Sequence, residues 1–309
     1  MKNMIAILKQ NPKFFVYCLL ALGIILIAVM APLLAPYDPY SAELVNALQK
    51  PSAEHLMGTD LLGRDYFSRI IYGTRSSVSS ALILVALIFS IGSLIGILAG
   101  YFGGWLDTVL MRLADIMIAF PDLILAIAIA GILGPSTTNA IIAITIVSWT
   151  RYARLSRSLV LKIRHTDYLA AATLTGSKTG HLIARYLAPN TLPTLIITAA
   201  TDIGSVMLQM ASLSFLGFGA QPPMPEWGYM LSEGRTYLQS APWLLIFPGL
   251  AIFVVVVVFN LLGDSLRDVL DPQRELNINR KSLFGKAKRN EIEENRCIVC
   301  DRDFSGGDA

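Results

Sequence analysis

Residues 164–193 read RHTDYLAAATLTGSKTGHLIARYLAPNTLP. The stretch is too polar to cross a bilayer and too regular to be a plain connection. Ala170 to Leu174 favour helix, Gly176 ends it, and a second amphipathic piece from His181 to Leu187 stops at Pro189. A short helical stub is predicted, and its meaning depends on what flanks it.

Both flanks are apolar. Of 309 residues, 54% are hydrophobic and 15% charged, against about 25% charged in a soluble domain. The charges gather at the start, between residues 151 and 185, and beyond residue 264. That pattern belongs to a polytopic membrane protein, because a water-exposed fold could not cover so much apolar surface. Six segments approach the roughly 20 residues needed to cross the hydrocarbon layer: about 14–36, 78–101, 108–133, 139–157, 192–217 and 243–263. The first follows Lys2, Lys9 and Lys13 and ends among Pro32, Pro36 and Pro39. It exceeds the roughly 7 to 15 apolar residues of a signal-peptide core, so it reads as an uncleaved first helix. With the N terminus inside, 20 Lys and Arg fall on cytoplasmic connections and 5 outside. This asymmetry predicts both termini in the cytoplasm, with residues 38–77 and 218–242 facing outward.

The spans themselves carry informative residues. Gly92, Gly96, Gly100 and Gly104 recur at four-residue steps, a spacing that lets another helix backbone approach closely. Their primary reading is helix packing, in this subunit or against a partner. Pro121 predicts a kink in the third run. Asp115 and Asp122 on that run share a predicted helical face, and carboxylates at such depth normally point at a cavity or a cation. Interior packing is the reading for Asp115 and a pathway role for Asp122. Asp202 is the only charge between Arg185 and Glu226, and Gly204, Ser205, Gln209, Ser212 and Ser214 make its segment the most polar of the six. Asp122, Asp202, Gln209 and Ser212 are therefore the candidate lining of a translocation path, with interhelical hydrogen bonding as the alternative for the polar helix.

At this point the loop resembles that of the inner-membrane permeases of binding-protein-dependent ABC importers. Their signature runs E-A-A, three residues, G, then a spacer and a Pro-rich end. Ala170, Ala171, Ala172, Gly176, Pro189 and Pro193 fall on it, with Ala170 standing where the family carries an acid. The resemblance implies that the stub is a coupling helix docking on an ATP-binding subunit, with one polar contact weakened by that alanine. Two further blocks narrow the family. HLMGTDLLGRDYFSRIIYGTRSSVSS, residues 55–80, and LGFGAQPPMPEWGYMLSEGR, residues 216–235, resemble the second, or C-type, permeases of dipeptide, oligopeptide and nickel systems, as does FNLLGDSLRDVLDP at 259–272. Locally, Asp60, Arg64, Asp65 and Arg69 are spaced to pair along a short surface helix. Pro222, Pro223 and Pro225 predict an extended segment, and Trp227 and Tyr229 suit the membrane interface.

The expected fold is all-α: six transmembrane helices in a MetI-like ABC importer permease arrangement with a cytoplasmic coupling helix. Residues 1–13 form a cytoplasmic N-terminal segment, 14–273 the permease domain and 274–309 a mobile cytoplasmic tail. The implied function is alternating-access import of a small solute, a di- or oligopeptide or nickel or its chelate. The implied partners are a second homologous permease subunit forming a heterodimer, two ATP-binding subunits and an extracytoplasmic solute-binding protein, with no nucleic acid. No catalytic residue and no cofactor is expected in the chain itself, ATP residing on the partners. Gly176-Ser177-Lys178-Thr179 imitates a phosphate-binding loop but lacks its glycines.

Two other classes compete. An intramembrane serine protease would need a Ser and His pair in the bilayer, and His55, His165 and His181 lie in loops. An aspartyl version would use Asp122 with Asp202 or Asp264 but lacks the rest of its signature. A passive channel gives no reason for the stub. In the tail, Cys297 and Cys300 have the spacing of half a zinc knuckle. Zinc or nickel there would need ligands from Asp301, Asp303 or another chain, and an incidental reduced pair is the alternative.

Overall fold

The computed structural model describes residues 12–270. Contacts divide the chain into residues 1–266 and 267–309, and of the second unit only the last turn of the final helix is described. The tail with Cys297 and Cys300 lies outside the described residues, as do residues 1–11.

Among the described residues there is no strand, only one isolated bridge between Thr59 and Asp65. The helices are α1 (Pro12–Leu34), α2 (Tyr66–Phe102), α3 (Gly104–Ile118), α4 (Asp122–Leu133), α5 (Thr137–Arg164), α6 (Asp167–Leu174), α7 (Thr179–Leu182), α8 (Ala188–Phe215), α9 (Trp227–Gly234) and α10 (Trp243–Leu270). Helices α1, α2 and α10 are each long and apolar enough to cross a membrane, as is the continuous run Thr179–Phe215 that contains α7 and α8. A bent pair, α3 with α4, adds a fifth candidate. Helix α5 has the length for a sixth, at 28 residues, but Arg151, Arg154 and Arg157 lower its apolar character.

The third expected span is not one helix. Helices α3 and α4 meet at 93° across Ala119, Phe120 and Pro121. Pro121 has no N–H to continue the ladder and pushes its predecessor out of the helical region, so the chain turns instead of kinking. Asp115 and Asp122 therefore sit on different helices, and the shared face expected of them does not exist.

The bundle is organised around α2, whose 37 residues extend about 55 Å at 1.5 Å each. Asp65 caps it by accepting from the Ser68 backbone N–H at 2.8 Å and the Ser68 hydroxyl at 2.7 Å. Along one side α2 lies directly on α5. A Cβ added at Gly92 would fall 2.4 Å from the Trp149 carbonyl oxygen, and one at Gly96 would fall 2.2 Å from that of Ala153. Gly100 faces Val160 in the same way. Three of the four predicted glycines thus form a seam inside this chain. Gly104 departs from it, because Gly103 breaks the helix and Gly104 has φ +57° with nothing near its missing side chain.

A cap closes the end of the bundle where α2 begins. Arg64 and Arg69 are buried there between Asp60 and Glu233, with Arg64 Nε 2.6 Å and Arg69 Nε 3.3 Å from Asp60 Oδ2. Glu233 reaches them from α9 at 3.5 and 3.3 Å. His55 Nδ1 lies 3.0 Å from Asp65 Oδ1. The charges expected along an exposed short helix are instead a buried network, fixed partly by a residue 169 positions away from Arg64. Trp227 is also buried rather than interfacial. Its indole donates to the Ile70 carbonyl at 3.0 Å over Gly73, where a Cβ would lie 2.7 Å from the ring. Glu226 precedes it and accepts from the backbone N–H groups of Gly228 and Tyr229 and from the Ser77 hydroxyl. Burial pushes the carboxyls of Glu226 and Glu233 above their ordinary range.

Candidate functional site

At the opposite end of α2 the first half of the loop at 164–193 takes the predicted form, but the second piece does not stop at Pro189: helix runs on from Thr179 to Phe215 with Pro189 and Pro193 inside it. Helix α6 spans Asp167–Leu174, and Gly176 turns the chain at φ +79° with open space around it. The stub is attached through one face only. Leu169, Ala172, Leu182 and Leu187 pack with Ile97 of α2 and Val160 of α5. Its other face projects: Ala170, Ala171 and Gly176 are exposed, and Leu174 is 89% exposed. The three alanines of the motif therefore divide, Ala172 inward and the other two outward.

The return from the stub is not plain helix. Ile183–Leu187 widen into a π-turn immediately before Pro189. Proline crowds the carbonyl four residues back and cannot donate to it, and the wider turn relieves that clash. Asn190 then donates through its side chain to the Tyr186 carbonyl at 2.6 Å. Pro189 and Pro193 are both exposed.

Higher in the bundle, a cavity of about 380 Å³ opens between α3, α4, α5 and α8. Its polar lining includes Asp122, Arg151, Tyr152, Arg154, Asp202 and Gln209. Three of the four predicted path residues thus meet at one place. Ser212 does not: it lines an apolar groove with Phe215, Leu231 and Ile252, and its hydroxyl donates to the Leu208 carbonyl at 2.7 Å.

The two acids of the cavity, Asp122 and Asp202, and Asp115 outside its lining differ in their engagement. Asp202 is held twice, by Arg151 Nη1 at 2.9 Å and by the Tyr152 hydroxyl at 2.9 Å. Asp115 takes Arg154 at 2.6 Å from a half-exposed position. Asp122 stands in the first turn of α4, where the helix dipole favours a carboxylate, and makes no ion pair or hydrogen bond among the described residues. Beyond Asp202 a second cavity of about 390 Å³ is lined by Arg151, Thr201, Asp202, Ser205, Asn260 and Asp264.

Sequence reasoning missed the basic half of this site. Arg151 and Arg154 entered there only within the charge cluster at 151–185 that sets the orientation, yet three arginines at three-residue steps in an otherwise apolar helix signal a row of partners. Asn260 was missed as well, and nothing local marks it. No group of three or more His, Cys, Asp or Glu side chains converges to hold a metal among the described residues.

Comparisons with known proteins agree with this architecture. Residues 92–275 match the model of the family described as binding-protein-dependent transport system inner membrane component. The dipeptide transport system permease protein DppC of Alkalihalophilus pseudofirmus is 48% identical over 268 residues, 86% of this chain and 88% of the relative. The nickel transport system permease protein NikC of Escherichia coli K12 is 43% identical over 247 residues, 80% of this chain and 89% of the relative. A chain of the MetNI methionine ABC transporter, solved in inward facing conformations, superposes with a TM-score of 0.55 at 18% identity, covering 66% of this chain and 97% of that one. This last likeness is one of fold. With its helical bundle, projecting stub and nearly full-length relatives, the chain belongs to the binding-protein-dependent inner membrane components and is a permease subunit of an ABC importer.

Proposed function

We propose that the chain forms one half of a heterodimeric permease with six spans and both termini in the cytoplasm. Helix α5 and the bent pair α3–α4 supply the spans beyond the clearest four. ATP binding and hydrolysis take place on two partner subunits, one of which receives α6 and Gly176. Their closure rocks the bundle between outward-open and inward-open states, and a solute delivered by an extracytoplasmic binding protein passes the cavity lined by Asp122 and Gln209. The cap of residues 38–65 and 217–242 then faces outward as the platform for that binding protein.

The single observation carrying this reading is the one-sided attachment of α6. Its inner face is buried in the cluster around Val160 and Leu187, while Leu174 and two alanines point away from the chain. Motion applied to the outer face reaches α2 and α5 because the inner face packs with Ile97 and Val160, and it reaches α8 through Leu182 and Leu187, which lead into that helix. The cargo class follows from the relatives, whose names specify dipeptide and nickel. A cavity holding both guanidinium and carboxylate groups suits a small solute with charges of both signs.

The test is co-purification and uptake. With partner subunits co-expressed, Leu174→Asp should lose the ATP-binding subunits from the purified complex while the permease pair stays assembled. Uptake of labelled Ala-Ala dipeptide and of radiolabelled nickel(II) by the wild-type complex then decides the cargo. Retention of the ATP-binding subunits with normal uptake by the variant contradicts the docking assignment.

A further inference from the structure

Helix α5 carries three arginines on one side, and each takes a carboxylate from another helix. Arg157 binds Asp107 of α3 through two contacts, at 2.5 and 2.6 Å. Arg154 binds Asp115 of α3 at 2.6 Å. Arg151 binds Asp202 of α8 at 2.9 Å, and Tyr152 next to it holds the other oxygen of the same carboxylate. The first two rungs fasten α5 to α3. The third joins the two arms of the hairpin whose tip is α6.

Its position on those arms is symmetrical. Arg151 stands 14 residues before His165, where α5 ends, and Asp202 stands 15 residues after Leu187, where the π-turn ends. At 1.5 Å per residue they lie about 21 and 23 Å along their helices from those two ends. Near the tip the arms meet through Val160, Leu169, Leu182 and Leu187. Apolar packing thus closes the hairpin near its tip, and the Arg151–Tyr152–Asp202 contact fastens it at the level of the cavity. Leu155 and Leu159 of α5 and Leu195 and Val206 of α8 also share an apolar cluster, but apolar contact is non-directional, and the Arg151–Tyr152–Asp202 contact is what fixes the register of the two arms when α6 is pushed.

We infer that Asp202 is a positioning residue: acting through Arg151 and Tyr152, it makes α5, the loop and α8 move as one body. Its carboxylate is already engaged by two donors and is only 14% exposed, so it wards the cavity wall without contacting the solute. The alternative is that the contact is packing alone, in which case losing it weakens the protein generally. This inference rests on the reading of α6 as the docking element.

The experiment uses the complete transporter, with partner permease, ATP-binding subunits and binding protein, in proteoliposomes, and whichever of labelled Ala-Ala and nickel(II) the wild type takes up. Solute moved per ATP hydrolysed is measured for Asp202→Asn, for the swap Arg151→Asp with Asp202→Arg, and in parallel for Gly176→Val. Asp202→Asn should lower transport per ATP about tenfold, within the range by which residues linking two sites alter coupling. The half-saturating concentration of loaded binding protein should stay unchanged, and the swap should recover at least half of the coupling. Three results overturn the inference: ATP turnover and uptake falling together in Asp202→Asn, a raised solute requirement at unchanged coupling, or a swap that recovers nothing. If Gly176→Val leaves coupling intact, the docking reading itself fails. If it uncouples while Asp202→Asn does not, only the role of Asp202 is lost.

Discussion

Replacing Gly96 by alanine adds one carbon to the seam between α2 and α5, and the consequence can be worked from the geometry. The new Cβ would sit 2.2 Å from the Ala153 carbonyl oxygen, 2.7 Å from Ser156 Cβ and 2.9 Å from the Ala153 carbonyl carbon. Ordinary contact begins near 3.4 Å, so relief requires a shift of more than 1 Å. Two of the three atoms are backbone, and no rotamer change can move them. Helix α5 must withdraw, carrying Arg151, Arg154 and Arg157 away from their carboxylates. Overpacking of this kind costs about 1 to 3 kcal/mol, and the rigid backbone places Gly96 at the upper end, near 3. Gly249→Ala is the matched control: it lies inside α10 with nothing within 4 Å and no positive φ. There the gain in helix propensity stabilises by up to about 1 kcal/mol. Chemical unfolding of the purified chain in one detergent, followed by tryptophan fluorescence, compares the two. Equal midpoints for Gly96→Ala and Gly249→Ala would refute the seam.

The cap supplies further predictions. Asp60→Asn leaves two buried guanidiniums with Glu233 as their remaining acid, and breaking such a network costs about 3 to 5 kcal/mol; a loss below 1 kcal/mol in the same unfolding assay would mean that the network is not buried as described. Glu226 is held above its ordinary 4.5 by burial, so the unfolded chain releases this proton at lower pH than the folded one does. Its contribution to stability is complete below about 4.5 and is lost as pH rises through the folded value. The midpoint of wild type relative to Glu226→Gln should therefore fall between pH 4.5 and pH 7, and a constant difference would contradict it. Trp227→Phe removes the donor to Ile70 while keeping most of the ring, and a loss of about 1 kcal/mol is expected in the unfolding assay.

Much of the fold was legible because membrane spans are written as uninterrupted apolar runs: α1 and α10 begin close to where those runs put them, and α2 ends where its run does but begins at Tyr66, well before residue 78, because its first turns are polar. The stub was legible only on one side: the glycine turn ends it as expected, whereas Pro189 and Pro193 do not stop the second piece, because the π-turn before them absorbs the clash and the helix continues. What escaped depended on distant partners. Spacing of four between Asp60 and Arg64 reports their pairing but cannot report Glu233, which makes the group a buried network. Trp227 looks interfacial in isolation and becomes buried only because Gly73 leaves a slot for it. Asp202 does line a cavity, but its partners, Arg151 and Tyr152, lie 51 and 50 residues earlier and could not be read locally. Pro121 announced a break, but the 93° turn depends on where α3 is fastened, through Asp107 and Asp115 to α5.

A crosslinking measurement reaches the central claim most directly. In a chain whose native cysteines, Cys18, Cys297 and Cys300, are replaced by serine, a single cysteine is placed at Leu174 on the exposed face of α6 or at Leu56 in the cap, and the intact complex is labelled there with benzophenone maleimide and irradiated, the photoactivated ketone inserting into C–H bonds of whatever lies against it. The account predicts an adduct between position 174 and an ATP-binding subunit, its yield changing with bound nucleotide, and none from position 56. An assembled, ATP-hydrolysing complex that gives no adduct at 174 would contradict it.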